Sequence, residues 1–204
     1  MLKRTSKKNI NSILEKNINW NILDIGCGYR ANKFANVIAD VQDFENFYKE
    51  KKFVRIKGKV LPFRDKEFDY VITSHVIEHV DDFQFFIKEL ERISSKGYIE
   101  LPTRLGDNLV YENQTDHIWW FYFNDDDNEL IVAKKNQLLQ PFINVSTAKL
   151  LEETFRDSLV IELSWEKNID YKVDNKIRYE AVGKISFLKL IRKFISKKIR
   201  SIYK

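Results

Sequence analysis

Short apolar runs, separated by polar turns, recur through the first half of the chain. They predict buried strands at five places, residues 22–25, 37–41, 53–56, 68–74 and 98–101. Two other segments repeat apolar residues at helical spacing, 9–18 and 81–93. We expect Asp81 or Asp82 to cap the second helix and Gly97 to stop it. Strands that alternate with helical segments predict parallel pairing and an α/β fold.

The alternation changes beyond residue 102. Apolar segments at 118–123 and 129–133 flank an acidic turn, which predicts a hairpin inserted after the fifth strand, within an insertion of about 103–146. A helix is then predicted at 147–155, with Ser146 as its N-cap. Two final segments, 159–165 and 177–182, are predicted to form an antiparallel pair of strands.

Composition indicates one folded domain. The chain has 204 residues, 44% of them hydrophobic, and we assign residues 1–183 to this domain. The single cysteine, Cys27, excludes an internal disulfide and a cysteine-rich zinc site, and it favours a reducing cytoplasm. No apolar run approaches the roughly 20 residues that span a bilayer.

Charge is distributed unevenly between the domain and the C-terminal segment. The chain carries a net charge of +5, yet residues 184–204 contain eight Lys and Arg and no acid, which leaves 1–183 at −3. In the segment 184–204 the apolar residues share one helical face, and the basic residues occupy the other. A basic amphipathic helix of this kind is typical of a membrane-surface anchor. Docking on this domain or on a second copy is the alternative, and a nucleic-acid tail is disfavoured because it needs no apolar face.

The first predicted strand runs into the turn Asp24-Ile25-Gly26-Cys27-Gly28. Glycines allow a sharp turn and a close approach of the backbone to a ligand. The third glycine of the dinucleotide-binding pattern is absent, because Ala31 stands in its place. Asp24 suits a cationic ligand without phosphate; alternatively, it only caps a helix.

Asp40 follows at the end of the second predicted strand. Ligands of open α/β sheets sit at the carboxyl ends of the strands, where this carboxylate could accept both hydrogen bonds of a ribose diol. The alternative is a solvated acid at a strand end.

In these and the following segments, the chain resembles the class I S-adenosylmethionine-dependent methyltransferases, in particular the small-molecule group. The resemblance is carried by ILDIGCG, IAD, LPFRDKEFDYVITSHVIEHV and KGYIELP, within residues 20–102, and is weaker over 147–183. It implies a Rossmann-like seven-stranded sheet and S-adenosylmethionine as cofactor. It also implies a set of cofactor-binding residues, namely Asp24, Gly26, Gly28, Asp40, Leu61, Ser74 and His75.

Two departures from the family pattern affect the expected cofactor site. The acid that commonly precedes LPF and binds the adenine amino group is absent from 55–59, so backbone groups or apolar contacts must replace it. The first crossover, 29–36, is too short for a full helix. These departures leave open a binding or scaffold protein that keeps the fold without the cofactor.

Histidine is suited to remove a proton from a hydroxyl acceptor near neutral pH. His117 lies beyond the fifth strand, where this family builds its acceptor pocket, and is the first candidate for a base. His79 is the second candidate, although its position in the family pattern also suits support of the following helix. His117 could instead be packed under the hairpin, and no Asp and His spacing indicates a metal site.

The combined hypothesis is a cytoplasmic methyltransferase that acts on a small or lipid-linked acceptor, peripheral to the inner face of the membrane. A sugar hydroxyl in surface-polysaccharide biosynthesis suits both the aromatic segment after the fifth strand and the basic C-terminal helix. A quinone or another lipid is the alternative acceptor.

Overall fold

The computed structural model describes residues 1–175 and 186–202. Ten strands are present there: β1 (Leu2–Arg4), β2 (Ile22–Ile25), β3 (Val37–Asp40), β4 (Lys52–Arg55), β5 (Tyr70–Ser74), β6 (Lys96–Pro102), β7 (Trp119–Asn124), β8 (Glu129–Lys134), β9 (Val160–Glu166) and β10 (Tyr171–Val173). The α-helices are α1 (Lys7–Lys16), α2 (Phe83–Ile93), α3 (Arg104–Leu109), α4 (Asn113–Asp116), α5 (Val145–Leu159) and α6 (Phe187–Ile202), and a 3₁₀ turn spans Ile77–His79.

Seven strands form the main sheet in the order β1-β9-β6-β5-β2-β3-β4. Five neighbouring strands of this sheet run parallel to one another, namely β6, β5, β2, β3 and β4. Strand β9 is antiparallel to β6, and β1 is antiparallel to β9. Every residue of β2 and β3 is buried, which explains why these strands are apolar except for Asp24 and Asp40 near their carboxyl ends. The predicted Rossmann-like sheet of seven strands is confirmed.

Alternate residues of the strands supply two apolar cores, one on each face of the sheet. On one face, Ile10 and Leu14 of α1 pack with Ile38 of β3. On the other face, α2 and the β7–β8 hairpin pack against strands β2 and β5. The N-cap of α2 is Asp82, whose carboxylate accepts the N–H of Phe85 at 3.1 Å.

A second, three-stranded sheet has the order β10-β8-β7. The β7–β8 hairpin is antiparallel and agrees with the predicted inserted hairpin. Strand β10, which the sequence pattern did not reveal, pairs parallel with β8. The hairpin buries Trp120 and Phe121 completely and leaves Trp119 half-buried.

Several local predictions were wrong. Gly97 lies inside β6 instead of ending α2, and a Cβ there would lie 2.4 Å from Trp165 Nε1. The N-cap of α5 is Asn144, which accepts the N–H of Thr147, and not Ser146. Segment 159–165 does form β9, but its antiparallel partners are β6 and the N-terminal β1. The strand predicted at 177–182 lies outside the described residues.

No helix is present in the β2–β3 and β3–β4 connections, so the short first crossover lacks even a stunted helix. Within residues 1–175 and 186–202, no helix is both long and apolar enough to cross a membrane.

Candidate functional site

The turn after β2 adopts a backbone that only glycine accepts easily. Gly26 and Gly28 have φ values of +70° and +48°, in the left-handed region. A Cβ on Gly26 would lie 2.2 Å from Cγ2 of Val76, whereas a Cβ on Gly28 would meet nothing within 4 Å. The main chain at Gly26 is thus packed against the loop after β5, and Gly28 leaves open space beside the turn.

Asp24 is buried at the carboxyl end of β2, where its Oδ2 accepts the N–H of Asn32 at 2.6 Å. Because no helix follows, the alternative that Asp24 caps a helix is wrong. Burial raises the pKa of Asp24 to about 6, although the Asn32 hydrogen bond and the charges of Lys7 and Lys51 act in the opposite direction. A cation beside this carboxyl group would therefore favour its ionised form.

Asp40 ends the neighbouring strand β3 and is also buried. One carboxylate oxygen accepts the N–H of Gly28 at 3.0 Å, and the other accepts the N–H of Gln42 at 2.9 Å. These bonds fix the carboxylate beside the glycine turn. Each oxygen keeps a second lone pair with which it can accept a hydroxyl hydrogen.

A cavity of about 250 Å³ lies beside Asp40. Ile56, Leu61 and Phe86 supply apolar walls, as a flat aromatic base requires. Asp81 and Asp82 also line this cavity. These acids follow the 3₁₀ turn, whereas the family pattern has its acid before LPF, at 55–59. The sequence analysis therefore assigned them only to the cap of α2 and not to the cofactor site.

The loop that carries Leu61 is held by Arg92 and Glu89 of α2. Leu61 donates its N–H to Glu89 at 2.7 Å, and the Arg92 guanidinium donates to the carbonyl oxygens of Leu61 and Phe63. The Leu61 N–H is therefore already used within the protein. Leu61 itself contributes its apolar side chain to the cavity.

Ser74 and His75 follow at the end of β5. His75 has a φ of +54°, an uncommon value for a residue with a side chain. Its ring lies between two carboxylates, with Nδ1 3.2 Å from Glu78 and Nε2 3.3 Å from Glu100. Burial lowers the pKa of His75, but its hydrogen bonds to Glu100 and Glu78 outweigh this and raise the pKa to about 10. The two carboxylates therefore favour the protonated, cationic form of His75.

His117 is buried between α4 and β7, and its Nδ1 bonds to Asp107 of α3 at 2.5 Å. Asp107 also accepts from Trp120 Nε1 at 2.6 Å and pairs with Lys135 Nζ at 2.9 Å. A carboxylate only accepts hydrogen bonds, so Nδ1 of His117 carries a proton, and in the neutral ring Nε2 has the lone pair. The sequence neighbour Asp116 is not the partner, and nothing in the spacing pointed to Asp107.

His79 ends the 3₁₀ turn and is exposed. Its ring lies edge-on to that of His117, with 4.5 Å between the ring centroids. Nδ1 of His79 lies 2.9 Å from the main-chain oxygen of Asp116. Since a carbonyl only accepts, His79 also carries a proton on Nδ1, and in the neutral ring Nε2 has the lone pair.

A larger cavity of about 1180 Å³ connects these groups. Its lining includes most of the residues predicted from the sequence, namely Asp24, Gly26, Gly28, Ser74, His75, His79 and His117. The two remaining predicted residues, Asp40 and Leu61, line the smaller cavity, and Gly26 borders both. The structure thus brings the predicted residues together around the carboxyl ends of β2, β3 and β5.

The arrangement fits the cofactor that the resemblance implies. The smaller cavity offers apolar walls for a base, Asp40 offers acceptors for a ribose, and Asp24 offers a carboxyl group for a cationic tail. The open side of Gly28 leaves room for a ligand to approach the main chain. No phosphate-binding helix follows the turn, in keeping with a ligand that has no phosphate.

Residues 23–99 match the family model described as a methyltransferase domain. Among solved structures, the YcgJ protein of Bacillus subtilis is 11% identical over 78% of this chain and 99% of its own, with a TM-score of 0.46. The PH0226 protein of Pyrococcus horikoshii OT3 is 16% identical over 78% of this chain and 88% of its own, with a TM-score of 0.44. The trans-methyltransferase CalH, solved with SAH, is 16% identical over 46% of this chain and 35% of its own, with a TM-score of 0.39.

Proposed function

We propose that this protein is a class I S-adenosylmethionine-dependent methyltransferase that methylates a small or lipid-linked acceptor; its residues 23–99 match a methyltransferase domain. The observation that carries the proposal is the shared cavity of about 1180 Å³. It is bordered by the glycine turn and Asp24, where the cofactor is expected, and also by His79 and His117. A donor and an acceptor could therefore meet in one cavity, and their alignment is itself a large part of catalysis.

Bound S-adenosylmethionine supplies a methyl carbon that is already activated by a positively charged sulfur. The protein then has to orient an acceptor atom and, for a hydroxyl, remove its proton. The lone pairs on Nε2 of His117 and of His79 are the groups suited to accept that proton. Asp107 orients the His117 ring through its hydrogen bond to Nδ1, as a carboxylate does beside a catalytic histidine.

A sugar hydroxyl is the acceptor that we favour, within surface-polysaccharide biosynthesis. The cavity contains several polar side chains that could bind the hydroxyl groups of a sugar, for example Asn113, Asp116 and Glu152. The second candidate is a quinone or another lipid, which the apolar lining residues Leu109, Ile143 and Val145 favour.

The helix α6 supports a lipid-linked acceptor at a membrane surface. Its large apolar side chains are exposed, namely Phe187, Leu188, Ile191, Phe194, Ile195 and Ile199. Lys and Arg side chains occupy the other face of the same helix. We therefore propose that α6 binds the anionic inner surface of the membrane, near an acceptor carried by a lipid.

Calorimetry with S-adenosylmethionine and its demethylated product tests the proposal at its first step. We expect both to bind with one site per chain. Lack of binding at millimolar cofactor would favour the scaffold alternative, in which the fold is kept without the cofactor.

Turnover tests the second step, with acceptors identified by product mass spectrometry on host extracts. His117→Gln should lower turnover at least about a hundredfold and leave cofactor affinity unchanged, since general-base catalysis contributes roughly 10²–10⁴-fold. Unchanged turnover would contradict a role for His117 as base.

A further inference from the structure

A cluster of potential metal ligands is formed by Glu78, His79 and His117. Each residue offers one ligand atom, and these atoms all lie within 4.8 Å of one another. Glu78 and His79 come from the 3₁₀ turn after β5, and His117 comes from the segment before β7. The cluster faces the larger cavity through His79 and His117.

Both histidines are held in the form that binds metal ions. Nδ1 of His117 donates to Asp107, and Nδ1 of His79 donates to the carbonyl oxygen of Asp116. In the neutral form of each ring, the unprotonated nitrogen is therefore Nε2. A hydrogen bond from the second ring nitrogen to a carboxylate or carbonyl is typical of metal-binding histidines, because it fixes the tautomer and orients the ring.

Glu78 provides a second, independent observation. Its side chain is fully buried, and Oε1 lies near His75. Oε2 has no hydrogen-bond partner among the residues that the structure describes. A buried carboxylate oxygen without a partner costs several kcal/mol in general, so native proteins pair such atoms or use them to bind ions. A cation among the three residues would satisfy Oε2.

The residues around the cluster also hold a ligand ring in place, as the residues around metal sites do. Asp107 is held by Lys135 and Trp120, so it cannot easily turn away from His117. Donors in a tetrahedral site lie about 3.4 Å apart when the metal–ligand bonds are about 2.1 Å long. The atoms here must move closer by roughly an ångström, and the exposed ring of His79 is the least constrained of the three.

We propose that Glu78, His79 and His117 bind one divalent transition-metal ion, for which Zn²⁺ is the fitting example. Two imidazoles and one carboxylate suit first-row transition metals, whereas Mg²⁺ and Ca²⁺ prefer oxygen ligands alone. Three protein ligands leave a position open toward the cavity.

The role of this ion rests on the proposed methyltransferase function. A hydroxyl of the acceptor binds at the open position, where the cation lowers its pKa. The O–H bond is the only bond broken in this step; its electron pair stays on oxygen, and the proton passes to water. His117 then acts as a ligand of the metal rather than as the base.

Metal binding is measured directly on the untagged full chain after removal of metals with a chelator. We expect one Zn²⁺ per chain by calorimetry, and Co²⁺ should show the ligand-field absorption of a low-coordinate site with nitrogen ligands. Asp107→Asn should weaken Zn²⁺ binding about 10- to 100-fold, the usual effect of losing a group that orients a ligand. His79→Ala and Glu78→Gln remove ligands and should weaken it further.

Asp116→Asn is the matched control, because only the main-chain oxygen of Asp116 contacts His79. It should bind Zn²⁺ like the wild type. Circular dichroism identifies any variant that fails to fold, and His79→Ala, at an exposed position, is the variant least exposed to that risk. Lack of Zn²⁺ binding by the wild type, or unchanged binding in both ligand variants, would overturn the proposal.

The same samples distinguish failure of the metal site from failure of the methyltransferase function. The demethylated cofactor product should bind His79→Ala with wild-type affinity, since His79 is outside the expected cofactor residues. If Zn²⁺ binds and the cofactor product does not, the methyltransferase function fails and the metal site stands. If the cofactor product binds and Zn²⁺ does not, only the metal site fails.

Discussion

Gly26 and Gly28 share a left-handed backbone and differ in their surroundings. A side chain at either position costs about 1–2 kcal/mol of backbone strain. Only at Gly26 would the new Cβ collide with Val76, at 2.2 Å. The two glycines therefore separate the effect of backbone strain from the effect of steric overlap.

Gly26→Ala should lower the free energy of unfolding by about 2–5 kcal/mol, because overpacking adds to the strain, and Gly28→Ala by about 1–2 kcal/mol. Urea denaturation measures both values. Adding Val76→Ala should restore part of the loss in Gly26→Ala and nothing in Gly28→Ala. Equal losses in the two single variants would show that the overlap is unimportant.

The raised pKa of Asp24 links protonation to stability, and we expect the same group to influence cofactor binding. Burial raises its pKa from about 3.8 to about 6, and the nearby charge of Asp40 acts in the same direction. The hydrogen bond from Asn32 and the charges of Lys7 and Lys51 lower the pKa but do not outweigh burial. A carboxyl group with a raised folded-state pKa stabilises the fold in its neutral form. This contribution is complete below about pH 4 and is lost as the pH rises through 6.

We expect the cofactor-free wild type to lose stability relative to Asp24→Asn between pH 4 and pH 7, as measured by thermal unfolding. S-adenosylmethionine should bind the wild type more tightly above pH 6, because ionised Asp24 attracts its cationic groups. The affinity of Asp24→Asn should be lower at pH 7 and nearly independent of pH in this range. Parallel pH profiles for the two proteins would exclude this role of Asp24.

At the scale of elements, α2 positions the loop that lines the smaller cavity. The Arg92 side chain donates to two carbonyl oxygens of that loop and to the carboxylate of Glu89. Glu89 in turn accepts the N–H of Leu61. The shape of the cavity therefore depends on a side chain that does not line it.

Arg92→Ala should lower the free energy of unfolding by about 2–3 kcal/mol, since hydrogen bonds of a charged group are lost. It should also weaken binding of the demethylated cofactor product about tenfold, or about 1.4 kcal/mol. Denaturation and calorimetry measure the two effects. Arg64→Ala, which removes an exposed arginine of the same segment, is the control and should change neither value.

In the whole molecule, the domain and the C-terminal segment differ in the sign of their net charge, and α6 adds an exposed apolar face. The part before residue 184 has a net charge of −3, and the segment 184–204 carries eight positive charges. Phe194 is 65% exposed and belongs to the apolar face of α6. A membrane surface that is both anionic and apolar beneath its headgroups would satisfy both faces of the helix.

Phe194→Asp should reduce binding to phosphatidylglycerol vesicles more than tenfold, because it removes buried apolar area and adds a negative charge. Ser196→Asp adds the same charge on the polar face and should reduce binding only a few-fold. Vesicle sedimentation at two salt concentrations measures both. Equal losses in the two variants would favour a purely electrostatic contact over insertion.

The sequence by itself determined the parallel strands β2, β3, β5 and β6, the helix α2 and the hairpin, because burial on one or both faces leaves a local periodic pattern. It also determined the glycine turn and the acids at the strand ends, since neighbouring parallel strands must end at the same edge of the sheet. The N-cap of α5 and the position of Gly97 inside β6 were predicted wrongly. Several neighbouring residues are suited to cap or to end a helix, so the sequence does not single one out.

Only the tertiary structure decided which distant side chains meet. The pairing of β9 with the N-terminal β1 depends on the chain returning across the molecule, and three residues of β1 are too few to show a pattern. Asp107 beside His117, and the unpartnered oxygen of Glu78 among histidines, likewise arise from contacts between separate elements. The sequence therefore specified the side of the cavity formed by the glycine turn and Asp24, and folding assembled the opposite side.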